Sequence, residues 1–202
     1  RMSDPEAKQT GVYVYRVTNH AEPDRRAMMA SRSILNAFLA SKLPGSPNDE
    51  LVEKKGIALS LSIGSGKVRD GASRLSASGV PVAGTSPDAL AEAILAYVDS
   101  LAQTGLPAET VDRLKQRLIV GLGLQDRQPE PLASALVSWL SGHLSYDDWL
   151  WRRTALEQVT SQSVAFVLAT HVARGRTLVG VLTPSGPAAS PLPTASPGTS
   201  KN

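Results

Sequence analysis

The sequence predicts an α+β fold: a mainly antiparallel sheet covered on one face by a block of helices. Three observations lead there. Strand-like segments stand near both ends, at residues 11–18 and 177–183, while helical patterns collect in one block between residues 86 and 172. Two further strand segments, 56–68 and 74–80, follow one another across a short turn, which implies antiparallel pairing. Helices gathered in one block between strands pack as a layer on a sheet.

The elements follow in order. Residues 1–10 are polar and read as a flexible N-terminus, and Arg1-Met2-Ser3 looks like a junction ahead of an excised piece, which leaves room for a leader upstream. Residues 11–18 (GVYVYRVT) are β-branched and aromatic, as a strand requires. Pro23-Asp24 opens a helix reaching about Leu43, with Met28, Ser31, Ile34, Leu35, Phe38 and Leu39 along its inner face. The loop 44–48 ends it. In 56–68, Ile57, Leu59, Leu61 and Ile63 alternate with Ala58, Ser60 and Ser62, so one face is apolar and the other small and polar.

Ser86-Pro87-Asp88 is a helix start, because Ser caps, Pro tolerates the first turn and Asp meets the positive dipole end. Leu90, Ile94, Tyr97, Val98 and Leu101 form its stripe, and Gly105 stops it. Pro107 begins a second helix carrying Val111, Leu114, Leu118 and Leu122 on one side. Residues 129–140 predict a short apolar helix. Ser145 caps another running to about Val159, and Thr160 caps a third carrying Val164, Val167, Leu168 and Val172. The continuous apolar run 177–183 (TLVGVLT) predicts a buried strand. Residues 11–184 therefore form one domain. Residues 185–202, rich in Pro, Ser, Ala, Gly and Thr, predict a disordered tail or linker, because such a composition buries too little apolar area to offset ordering entropy.

Composition excludes several functions. The chain has 202 residues, no cysteine and a formal charge of only +3. Disulfides, thiolate metal sites and cysteine nucleophiles are absent together. The basic residues are scattered as Arg25-Arg26, Arg113/Lys115/Arg117 and Arg152-Arg153, which reads as solvated helix faces rather than a nucleic-acid groove. No apolar run is long enough to span a membrane as a helix. Composition fixes no compartment, bacterial periplasm and cytoplasm both being compatible.

The order of elements and several quoted segments resemble a repeating domain of the pitrilysin/insulinase zinc metallopeptidases, which include mitochondrial processing peptidase. Residues 50–62 (ELVEKKGIALSLS) are similar to that family's "ELREKRGLAYSVS" segment, which enters a core strand. Ser86-Pro87-Asp88 resembles its "DPE" helix start, residues 105–115 its "GVTEEELERAK", residues 131–136 the helix that follows, Val159-Thr160 the "VT" before its last helix, and 177–184 its closing strand.

The resemblance implies a non-catalytic, C-terminal-type domain. The family cleaves peptides with zinc held by an inverted HxxEH helix, in which two histidines share one helix face and the glutamate activates water. This chain has only His20, His143 and His171, and none has a second histidine three to five residues away. The expectation is no cofactor and no catalytic residue here, with zinc in a catalytic domain or partner. Many members carry an arginine and a tyrosine in the first quoted segment. Those positions hold Val52 and Leu59, which cannot donate to an oxyanion. The implied partners are a zinc-bearing domain or subunit and a peptide substrate, the domain supplying chamber wall and peptide-binding surface. The alternatives are a degenerate scaffold or assembly subunit without proteolysis, and part of a precursor-peptide-processing peptidase.

Other chemistry reads as structure. Gly64-Ser65-Gly66-Lys67-Val68 fails as a phosphate loop, because Leu61 stands at the first glycine position and Val68 at the last hydroxyl position. Ser60 and Ser62 are the small face of a strand, and Asp147-Asp148 belong to a helix cap.

Overall fold

A computed structural model of the chain describes residues 1–19, 25–67, 72–141 and 145–185. Five strands form one sheet: β1 (Met2–Asp4), β2 (Gly11–Asn19), β3 (Ala58–Lys67), β4 (Ala72–Pro81) and β5 (Arg176–Pro184). Their spatial order is β1-β5-β2-β4-β3. All neighbours pair antiparallel except β1 and β5, which run parallel. The helices are α1 (Arg25–Leu39), α2 (Pro87–Thr104), α3 (Ala108–Gln125), α4 (Pro129–Ser141), α5 (Tyr146–Glu157) and α6 (Ser161–Val167). The expected α+β architecture is present, with helices on one sheet face.

Strand periodicity explains how the layers meet. Along β2, Val12, Val14, Arg16 and Thr18 are buried, while Tyr13, Val17 and Asn19 are exposed. Residues one apart point to opposite faces, so the first set faces the helices. α1 and α2 lie against this face together with a π-helical turn, Leu168–Val172. The predicted inner face of α1 is buried throughout, and so are Leu90, Ile94, Val98 and Leu101 of α2. Outside this layer α5 and α6 pack on α1, α3 packs on α1 and α5, and α4 packs on α5. The molecule therefore deepens away from the sheet, with α4 outermost.

Three caps read from sequence are made. Ser86 Oγ accepts from the Ala89 amide at 3.1 Å. Ser145 with Asp148, and Thr160 with Ser163, form reciprocal capping boxes, each satisfying two amides that the first helical turn leaves without partners. Gly105 closes α2 at φ +69°, in the left-handed region that suits glycine.

Four expectations are corrected. Residues 1–10 are not wholly loose, because Met2–Asp4 pair with Leu182, Thr183 and Pro184. α1 stops at Leu39 rather than Leu43, and the chain turns into a π-helical segment, Asn48–Lys54, where no helix was expected. In β3 the register shifts between Ala58 and Ser60, so the bulge inserts Leu59 as an extra residue. Ala58 turns inward and Leu59 outward, 64% exposed, against the expected alternation. Finally, β5 is not a buried strand: Leu178 is 67% exposed and Val179 is exposed too, leaving only Val181 in the core. A continuous apolar run was read as covered on both faces, but β5 has helices on neither side of its first half. The predicted tail lies outside the described residues beyond Ser185, as do Pro23-Asp24 and Val68.

Candidate functional site

The sheet face opposite the helices carries the candidate surface. Strand register places its residues. Tyr13 stands between Gly180 of β5 and Ser78 of β4, and Tyr15 between Leu178 and Ser76. Val17 stands between Arg176 and Arg74. β3 continues the row with Ser62 opposite Ser78 and Gly64 opposite Ser76. The surface thus has an aromatic and aliphatic half on β2 and β5, a shallow serine and glycine half on β4 and β3, and two arginines at one end. A cleft of about 230 Å³ crosses it beside Tyr13, lined by Ser60, Ser62, Ser78 and Val80. Small side chains are what keep this lane open, since the neighbouring tyrosines would otherwise meet side chains of their own size.

The sheet also has open edges. β3 pairs only with β4, and β1 reaches only Leu182–Pro184, so Arg176–Val181 of β5 have β2 on one side and no strand on the other among the described residues. An uncovered edge presents alternating N–H and C=O groups to an extended chain.

Beneath the face, the buried Arg16 fixes β2. Its guanidinium donates to Asp99 Oδ1 of α2 at 2.6 Å, to the Ala173 carbonyl at 2.7 Å and to Thr177 Oγ1 at 3.3 Å. One side chain so ties β2 to α2, to the turn before β5 and to β5 itself. Next to it, Thr18 Oγ1 donates to the Arg174 carbonyl. Gly175, at φ +118°, lies so close to β2 that a Cβ would overlap the Val17 carbonyl. These contacts hold β5 beside β2 and so align Leu178 with Tyr15.

The sequence-predicted positions fall as follows. Val52 sits in the π-helical segment, half-buried against the core. Leu59 projects from the β3 bulge into solvent. Both are hydrocarbon, and neither can polarise a carbonyl. Asp148 caps α5 as expected. Its carboxylate also accepts from Arg26 Nε at 2.9 Å, and that bond, then the Ser145 amide, lowers its pKa to about 2. Ser65, from the rejected phosphate loop, is bound on both sides by Asn36: its amide donates to Oδ1 and its carbonyl accepts from Nδ2, each at 2.8 Å. His20 and His143 lie outside the described residues, and His171 falls in the π-helical turn. Among the described residues no group of three or more His, Asp or Glu side chains could hold a metal ion. The donor set of this chain, three scattered histidines and no thiol, does not fit a zinc centre.

The open-face residues Tyr13, Tyr15 and Leu178 were not singled out by sequence reasoning. A signal existed: 11–18 is apolar on both of its faces, which a strand with one solvated face does not need.

A largely antiparallel sheet with helices on one face is the architecture shared with solved peptidase domains. The chain belongs to the family described as the Peptidase M16 inactive domain, whose model matches residues 1–118. That agrees with its resemblance to the pitrilysin/insulinase peptidases. Solved structures share the fold. An inactive peptidase domain from Bordetella parapertussis superposes with a TM-score of 0.73 at 14% identity, covering 92% of this chain and 97% of that one. A protease from Helicobacter pylori gives 0.73 at 15% identity, covering 91% and 43%. The periplasmic protease PqqL from Escherichia coli gives 0.70 at 18% identity, covering 91% and 20%. The chain thus spans less than half of the Helicobacter chain and a fifth of the Escherichia one. The search of curated proteins returns no match. Among the described residues no helix is long and apolar enough to cross a membrane.

Proposed function

We propose that this domain forms a non-catalytic wall of a peptide-binding chamber, beside a zinc-bearing peptidase domain in the same polypeptide or in a partner. The observation that carries the reading is the uncovered sheet face bearing Tyr13, Tyr15 and Leu178. Monomeric proteins seldom leave a large apolar patch on a sheet in water without a partner for it. An extended peptide suits the surface chemically. Its backbone can add to a free strand edge, which gives affinity with little sequence selectivity, while its side chains lie on the tyrosines. The family and the length of the relatives support a neighbouring catalytic domain, since this chain alone carries no HxxEH. The zinc belongs to that neighbour.

The test is binding of a fluorescently labelled unfolded peptide, read by anisotropy. Leu178→Asp and Tyr13→Asp are expected to weaken binding about tenfold each, the order of a contact residue in a small interface. Val137→Asp, on the far side of the helices, should leave it unchanged. Equal loss from all three, or no binding at all, would refute the reading.

A second reading has its own observation. Val52 and Leu59 replace the arginine and tyrosine that many relatives of this type carry, which favours a scaffold or assembly subunit that has left proteolysis. Copurification separates the two: a stable partner with HxxEH supports the peptidase, and a stable complex without one supports the scaffold.

A further inference from the structure

The helix α4 (PEPLASALVSWLS) has one charged residue, Glu130, in thirteen positions. A helix that is apolar around its circumference belongs in an interior. Yet α4 is the outermost element, and none of its described side chains is buried. Leu132, Leu136 and Trp139 are half-buried on its inner side, while Val137 is 66% exposed and Leu140 nearly half. The adjoining helix α5 adds exposed Tyr146, Leu150 and Trp151.

All three tryptophans of the chain gather here. Trp139 meets Trp149 edge to face at 5.7 Å between centroids, and the Arg152 guanidinium lies 3.7 Å from the centroid of Trp149. Arg26 lies 5.5 Å from the centroid of Trp151. Trp139, Trp151 and Arg26 line one cleft of about 110 Å³ with Leu122 and Met29, and Asp148 and Arg152 also reach it. Clustered Trp and Arg around a small cleft are the composition of interface centres.

We infer that this surface pairs two copies of the chain, α4 against α4 of the second copy, antiparallel about a twofold axis. Charge favours a second copy. Thirteen residues make a rod about 20 Å long. The lone anion Glu130 lies in its first turn. The cation Arg26, already bonded to Asp148 and still 41% exposed, lies at its far end beside Trp139. Antiparallel pairing brings each Glu130 to the other copy's Arg26, twice by symmetry, and sets the two helix dipoles head to tail. The exposed large side chains of α4 and α5 supply on the order of several hundred Å² of apolar surface, against ~800 Å² per partner in a stable interface. An anionic membrane would call for a basic rim, and here acidic residues alternate with the basic ones: Asp126, Glu130, Asp147 and Glu157. The surface lies on the side of the molecule away from the open sheet face, so pairing leaves that face free.

The chain has no cysteine, which makes a direct test available. Val137→Cys lies near the predicted axis and should form a disulfide-linked dimer under mild oxidation, while Leu178→Cys, equally exposed on the sheet face, should not. Light scattering on the unaltered chain should give twice the monomer mass at high concentration. Val137→Glu should raise the dissociation constant at least ~10-fold, as losing a central contact does, and Glu130→Arg should weaken the pair while circular dichroism stays native. A chain that stays monomeric at several hundred micromolar, or that dimerises unaffected by Val137→Glu, overturns the inference. Equal crosslinking of Leu178→Cys does the same.

Discussion

Arg16 is the residue on which three elements converge. Its side chain is inside, its partner Asp99 is about half exposed, and the bonds to Ala173 and Thr177 satisfy the rest of the guanidinium. Removing Asp99 leaves a cation in the interior with neutral acceptors alone. Asp99→Ala should lower stability by about 2–3 kcal/mol, below the 3–5 typical of a fully interior pair because water reaches Asp99; urea unfolding measures it. Gly175 is constrained differently, by its positive φ and by contact with the Val17 carbonyl. Gly175→Ala should cost about 2–4 kcal/mol or prevent folding, combining backbone strain and overlap. Asp148 provides a pH signature. Arg26 and the Ser145 amide hold its folded pKa near 2, below the ordinary carboxylate value. A lowered folded pKa stabilises above the unfolded value, and the contribution fades as pH falls from about 4 through 2. Asp148→Asn should flatten that acid limb in thermal melts recorded across the window. Neither the inward phase of Arg16 nor its partners were legible, since 11–18 shows no clean alternation and the partners come from residues 83 and 157 positions away.

Elements were legible where their signals are local. Ser86, Ser145 and Thr160 cap the helices expected of them, because a cap needs only a hydroxyl and the amides within three residues. Ser145→Ala should therefore cost about 1 kcal/mol, with the loss seen as a lower melting temperature. The stripes of α1 and α2 were equally plain. Strand faces were not. The bulge at Leu59 depends on how β3 meets Pro81 and Val80 across the ladder, and periodicity within one strand carries no trace of that. The exposure of β5 depends on which strands the helices cover, a property of the whole layer. Leu59→Thr should accordingly shift stability by no more than about 0.5 kcal/mol, as surface changes do, where a core leucine at that position would have cost several. Equilibrium unfolding separates the two values.

At the scale of the molecule, the layers divide the labour. The sheet offers an open face and two incomplete edges, the middle helices form the core, and α4 with α5 carries a second apolar surface on the opposite side. The missing zinc motif was legible in full, because three histidines can be counted and their spacing read. The open face was not, because a strand of apolar residues looks alike whether a helix or a substrate is to cover it. The neighbour proposed above is one expectation for what covers it, and longer proteins of the same fold extend well beyond the part this chain spans.

The position of β5 bears on how the protein is made. The last strand in sequence sits between β1 and β2, near the opposite end of the chain. During synthesis β2 waits with one side bare until residues 176–184 have left the ribosome, and β1 has no partner at all. Closure of this sheet thus waits on contacts between segments far apart in sequence, which form slowly. A chain cut short before Arg176 would expose β2 as a naked, hydrophobic template, and aggregation is its expected fate.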